Sequence, residues 1–115
     1  MDTALEAKKD ILMNYIMKNC LWQFNSRAWD REAQNENIIG KTTQLLCNEK
    51  ATDDTSAERY YWAEAKSLVN EWECFPWIKE MSVSDIKTVM SALKTDLDTQ
   101  LIKKSLNAEL TDPKY

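Results

Sequence analysis

Apolar residues recur at helical spacing along most of the chain. Leu5, Leu12, Ile16 and Cys20, with Met13 and Met17 beside them, predict a helix over about Thr3–Asn19. Lys8, Lys9 and Lys18 are assigned to its opposite side. The stretch Cys20-Leu21-Trp22-Gln23-Phe24-Asn25-Ser26 breaks the period and reads as an aromatic connector, with Asn25 or Ser26 able to cap the next helix. That helix runs from about Arg27 to Asn48. It carries Asp30 and Glu32 in its first turn and Trp29, Ala33, Ile38, Ile39, Thr42, Leu45 and Leu46 on its apolar face. Gly40 is a weak point inside it, which a close helix–helix approach would explain. Residues 49–55 are polar and read as a loop.

Thr55 and Glu58 form a capping-box pattern for a third helix that reaches about Glu73, striped by Ala57, Tyr61, Ala65, Leu68, Val69 and Trp72. Pro76 ends it by pushing Phe75 out of the helical region. Ser82 with Asp85 signals a fourth helix over about Val83–Lys103, with Ile86, Val89, Met90, Leu93, Leu97 and Leu101 inward. Residues 104–115 read as an extended C-terminal arm. The expected fold is all-α: one domain, residues 1–115, built as a compact bundle of four main helices.

Composition narrows the function more than the fold. A single glycine and two prolines in 115 residues leave too few breakers for an all-β chain. The net charge of −4, with no run of five like charges, argues against duplex nucleic acid as the partner. No apolar stretch nears the length of a membrane span, and the N-terminal residues lack a signal-peptide pattern, so a cytoplasmic home is expected. There is no histidine, which removes imidazole-based nucleophile pairs and the commonest metal ligand.

The cysteines, Cys20, Cys47 and Cys74, are spaced by 27 each time. No Cys-x-x-Cys pair completes a metal set. In an up-down bundle the second helix also ends at the opposite pole from the first and third, about 30 Å away. They are expected to be buried or half-buried thiols acting as small hydrophobes. Acidic pairs such as Asp53-Asp54 and Glu32/Glu36 read as solvated surface.

Five tryptophans exceed what a core of this size needs. Trp62 and Trp72 sit in helical context and are expected in the core. Trp22, Trp29 and Trp77 lie among polar residues in or beside connectors. They can serve as a docking surface, where Trp and Arg concentrate binding energy, or plug the end of the bundle. Arg27 and Asp30, three apart, form either an exposed ion pair or a guanidinium fork held for a partner carboxylate.

These residues also carry a resemblance. Cys20-Leu21-Trp22-Gln23-Phe24, Ser26-Arg27 and Trp29-Asp30-Arg31-Glu32 resemble the hallmark stretch of the small delta subunit of alternative nitrogenases, the iron-only and vanadium enzymes. Tyr15-Ile16-Met17-Lys18-Asn19, Leu45-Leu46-Cys47, Tyr61-Trp62, Pro76-Trp77-Ile78, Met81-Ser82, Ser105-Leu106-Asn107, Glu109-Leu110 and Lys114-Tyr115 extend the similarity over nearly the whole chain. The lead-in and the tail look like the iron-only branch. Two positions depart from it: Asn25 stands where iron-only relatives carry His, and Ala28 where they carry Ser. A ligand or proton-relay role at Asn25 is thereby weakened.

The resemblance implies a non-catalytic accessory subunit bound to the alpha subunit of a dinitrogenase, within an assembly holding two copies each of alpha, beta and delta. That oxidoreductase reduces dinitrogen to ammonia and protons to dihydrogen, with electrons from an ATP-driven iron protein. Its iron–sulfur clusters, the iron-iron cofactor and the P-cluster, belong to alpha and beta. This chain is expected to ligate no cofactor or metal and to hold no catalytic residue, aiding cofactor insertion or shielding instead. Trp22, Phe24, Trp29 and Trp77 would be apolar anchors at the partner interface, and Gln23, Arg27, Asp30 and Arg31 would supply hydrogen bonds and charge pairs. Alternatives are a transient metallocofactor chaperone, a delta subunit of the vanadium enzyme, and a generic helical adaptor.

Overall fold

The structure is a computed structural model. It describes residues 2–19, 28–49 and 56–111, without the side chains of 28–32, 56–58, 101, 102 and 104–111. Four α-helices appear among these residues, and no strand: α1 (Thr3–Asn19), α2 (Ala28–Leu46), α3 (Ser56–Trp72) and α4 (Val83–Thr111), with a short 3-10 helix at Pro76–Glu80.

The helix ends follow local chemistry. Asp2 caps α1, its Oδ1 accepting from the Leu5 amide at 2.8 Å. Asn48, at φ 56°, ends α2 in the left-handed region that asparagine tolerates. The Glu49 amide there donates to the Gln44 carbonyl (2.9 Å) and the Asn48 amide to that of Leu45 (3.2 Å). Phe75 is extended before Pro76 (φ −96°, ψ 99°), and the proline starts the 3-10 turn that the sequence reading did not contain. Ser82 caps α4 as expected, its hydroxyl accepting from the Asp85 amide at 3.1 Å. The caps proposed at Asn25, Ser26 and the Thr55/Glu58 box lie outside the described residues or side chains.

α4 continues as helix to Thr111, so residues 104–111 are not the extended arm expected of them. No glycine or proline interrupts the chain between Val83 and Pro113, and Leu106, Ala108, Glu109 and Leu110 are good helix formers.

α4 is the shared wall of the fold, packing against α1 and α2, while α2 also packs on α3. Lys9 pairs with Asp96, Asn35 with Asp98, and Glu49 with Lys87. Leu12 also lines a small void with Val89 and Met90, so α1 runs antiparallel to α4, and the pairs at Asn35 and, just past α2, at Glu49 set α2 antiparallel to it as well. Val69, late in α3, and Glu73, just past its end, share a groove with Val83 and Ile86, early in α4, and with Leu46 at the end of α2. α2 and α3 therefore run in the same sense and end at one pole. This corrects the up-down arrangement. That arrangement assumes short hairpin loops, whereas residues 20–27 can span about 28 Å, the length of a 19-residue helix such as α2.

The core holds Leu12, Ile16, Ile38, Ile39, Leu68, Trp72, Ile86, Val89, Met90, Leu93 and Leu97, each at most 5% exposed. Trp62 and Trp72 are buried as expected. Two positions differ from expectation. Lys9 is buried at 4% exposure rather than on a solvated side, because 5, 9, 12 and 16 form one helical stripe. On α2 the buried stripe is Asn35, Ile38, Ile39 and Thr42, and Ala33 is exposed. Gly40 faces open space, with nothing within 4 Å of where a Cβ would sit, so no close helix approach explains it among the described residues.

Candidate docking surface

Of the eight residues expected to meet a partner, Trp22, Gln23, Phe24 and Arg27 lie outside the described residues. Trp29, Asp30 and Arg31 occupy the first turn of α2, their side chains not described. Trp77 is in the 3-10 helix, half-buried against the core.

Trp77 belongs to an aromatic strip that sequence reasoning missed. Its ring stacks on Phe75 (centroids 5.5 Å apart, planes 28°), and Tyr15 of α1 meets Phe75 edge-on (6.2 Å, 89°). The Lys8 ammonium stands 5.8 Å from the Trp77 ring centroid. Each such pair adds about 0.5–1.5 kcal/mol beyond its buried area. Pro76 fixes the chain between the two stacked rings. Lys8 and Tyr15 share a face of α1 seven residues apart, and that spacing was the available signal. The strip joins α1 to the segment before α4 and leaves its rings half-exposed, so Trp77 packs the end of the fold and also presents an aromatic edge.

Beside this strip lies an open groove of about 370 Å³. Leu46, Val69, Ile78, Met81, Val83 and Ile86 give it apolar walls, and Val83 is 49% exposed. Ile78 and Met81 come from the 3-10 segment that also carries Trp77, so one short element serves both surfaces. Cys47 sits in the groove wall. Burial, and then the neighbouring Glu49 carboxylate, push its thiol pKa up, which makes it a weak nucleophile near neutral pH. Cys74 is exposed rather than buried, because it turns outward between the inward-packed Trp72 and Phe75. Cys20 lies outside the described residues.

Three carboxylates, of Glu6, Asp10 and Asp96, bring oxygens within 4.8 Å of one another. Lys9 already occupies their midst. Its Nζ lies 2.7 Å from Glu6 and 3.0 Å from Asp10 and also bonds Asp96, and the hydrogen bonds to Asp96 and Glu6 hold its pKa well above the ordinary lysine value. The ammonium supplies the charge that a cation would otherwise bring. Among the described residues no group of three or more potential metal ligands includes a cysteine. Elsewhere, the buried Lys41 places its ammonium 5.3 Å from the Trp62 ring and 6.0 Å from that of Tyr61, tying α2 to α3. No helix among the described residues is long and apolar enough to cross a membrane.

Comparison with known proteins gives these surfaces a context. Residues 6–115 match the family model described as vanadium/alternative nitrogenase delta subunit. The chain is 49% identical to the nitrogenase iron-iron protein delta chain of Rhodospirillum rubrum and 47% identical to that of Clostridium pasteurianum, over the full length of both chains in each case. It is 44% identical to the chain of the same name from Rhodobacter capsulatus, over 98% of its own length and 99% of the relative's. On this full-length match, the chain belongs to the vanadium/alternative nitrogenase delta-subunit family.

Proposed function

We propose that the chain is the delta subunit of an iron-iron dinitrogenase. In this reading it is a non-catalytic accessory chain that binds the catalytic alpha subunit and supports cofactor insertion or shielding during reduction of dinitrogen to ammonia. Full-length identity to three iron-iron delta chains carries the reading. The aromatic strip and the groove add surfaces suited to a protein partner. The assembly would hold alpha, beta and delta in two copies each in the cytoplasm, with the iron-iron cofactor and P-cluster on alpha and beta and electrons arriving from the ATP-driven iron protein. Trp22, Phe24, Trp29 and Trp77 serve as apolar anchors, and Gln23, Arg27, Asp30 and Arg31 as polar ones.

The test is an oxygen-free pull-down through an N-terminal tag, since Asp2, Thr3 and Ala4 are exposed at the start of α1. Recovery of two large dinitrogenase subunits at equal stoichiometry, with iron and dihydrogen evolution, is the expected outcome. Recovery of metal-poor alpha chain alone indicates a transient metallocofactor chaperone instead. Recovery of no dinitrogenase subunit overturns the reading.

A further inference from the structure

We infer that the outer face of α1 and the aromatic strip beside it form one docking surface, and that it receives a segment of the catalytic subunit carrying large apolar side chains and a carboxylate that reaches Lys8. The inference rests on the proposed assembly with a dinitrogenase and names the surface and the chemistry of its occupant.

Helical period sets the apolar part. Ala4, Lys8, Ile11, Tyr15 and Lys18 fall in one row along α1, at spacings of four, three, four and three. The buried stripe of Lys9, Leu12 and Ile16 is turned roughly a third of a circle away from it. Ala4 and Ile11 are exposed, and Ile11 is a large apolar residue left 42% open. It stands between Lys8, which lies over Trp77, and Tyr15, which meets Phe75, so it continues the aromatic strip along the helix. From Ala4 to Tyr15 the row covers about 16 Å, or three turns.

An unpaired cation sets the polar part. Lys8 is half-buried, and its ammonium stands 5.8 Å from the Trp77 ring centroid. Neither Lys8 nor Lys18 forms an ion pair among the described residues. The acids beside Lys8 in sequence are engaged elsewhere, since Glu6 and Asp10 both bond Lys9 on the side of α1 that faces Asp96. Glu80, three residues past Trp77 and so on the same side of the 3-10 helix, is exposed and pairs with neither lysine. The chain holds 19 acids against 15 bases, yet none is set on this ammonium. An aromatic face attracts the charge but accepts none of the N–H bonds as a carboxylate oxygen would. A partner that covers the strip also removes water from Lys8, and a carboxylate answers both its charge and its donors. A second copy of this chain suits the surface less, because the lysines of one row would face those of the other.

The experiment uses the full chain with its alpha–beta partner. A water-soluble carbodiimide is added to the complex. It condenses a carboxyl group with an amine in contact to form an amide, taking up the water as its urea, and the joined peptides are identified. In parallel, affinity is measured for Lys8→Met, which keeps an apolar stem against Trp77, and for Ile11→Gln. A thermal melt checks that each variant remains folded. The expected result is an amide between Lys8 and an Asp or Glu of a catalytic-subunit peptide that also carries large apolar side chains. Each variant should bind about tenfold more weakly, which corresponds to about 1.4 kcal/mol. Lys8→Met should also lose part of the weakening by salt that the unmodified chain shows. No amide at Lys8, an amide from Lys8 to Glu80 or to a second copy, or unchanged affinity in either variant overturns the inference and leaves the assembly standing. If the unmodified chain forms no complex, both readings fall together.

Discussion

Two seams meet on opposite sides of α4, and each sets a buried polar residue against an aspartate of α4. On the α1 side Lys9 is almost fully enclosed, with three carboxylates around its ammonium. On the α2 side Asn35 is wholly enclosed, its Nδ2 donating to Asp98 Oδ1 at 2.9 Å, while its Oδ1 has no partner. Asp98 in turn accepts from Lys94 at 2.9 Å. Asp96 and Asp98 are two residues apart on α4, so they project to nearly opposite sides, and Leu97 between them is fully buried. A charge is kept inside where counter-charges saturate it. A neutral amide is kept where one bond suffices and one acceptor goes unmet. The first seam is an electrostatic lock and the second a register mark, because a single hydrogen bond aligns α2 against α4 without much net gain.

Breaking the lock should have the largest effect. Lys9→Met leaves three carboxylates close together without their cation. It should cost about 2 kcal/mol in denaturant unfolding, the scale of lost charged hydrogen bonds. The sign with pH follows from the raised pKa. The Lys9 contribution is fully present below the ordinary lysine value of 10.5 and is lost as pH rises through the higher folded value. The gap between the wild type and Lys9→Met should therefore hold through neutral pH and narrow in strong alkali. A gap constant to the most alkaline pH at which both fold would refute the lock.

On the second seam, Asp98→Ala strips Asn35 of its remaining bond and should cost about 1.5 kcal/mol. Adding Asn35→Leu should recover most of that loss, since replacing both partners with apolar groups is nearly neutral. No recovery in the double variant would place the loss in the Lys94–Asp98 pair rather than in the amide. The smallest change touches neither seam. Gly40 lies on the outer face of α2 with open space beside it, so Gly40→Ala should raise stability by about 0.5–1 kcal/mol, read as an increase in Tm. A loss there would show that the outer face of α2 is already occupied.

The helices were legible because periodicity is local. The stripe of α4 from Ile86 to Leu97, the Ser82 cap and the break at Phe75–Pro76 all follow from neighbours within a few residues. Residue polarity misleads where it conflicts with period: it puts Ala33 inward and Lys9 outward, although 35, 38, 39, 42 and 5, 9, 12, 16 are the helical rows that face the core. The strip of Tyr15, Phe75 and Trp77 is only half legible, since the Lys8–Tyr15 face shows in the spacing but Tyr15 lies 60 residues from Phe75. Of the expected docking residues, Trp77 is the one whose side chain is described, and its stacking on Phe75 could not be read from spacing.

By itself the sequence determined an all-helical chain, the Ser82 cap, most of its apolar rows and its family, because these rest on short-range backbone preferences and on residue identity. Tertiary structure alone decided that α2 and α3 end at one pole, that a lysine and an asparagine belong inside, and that a groove opens beside Val83. Each of those depends on which distant partner supplies a charge, a hydrogen bond or a wall, and helical period carries no information about the neighbour across the seam.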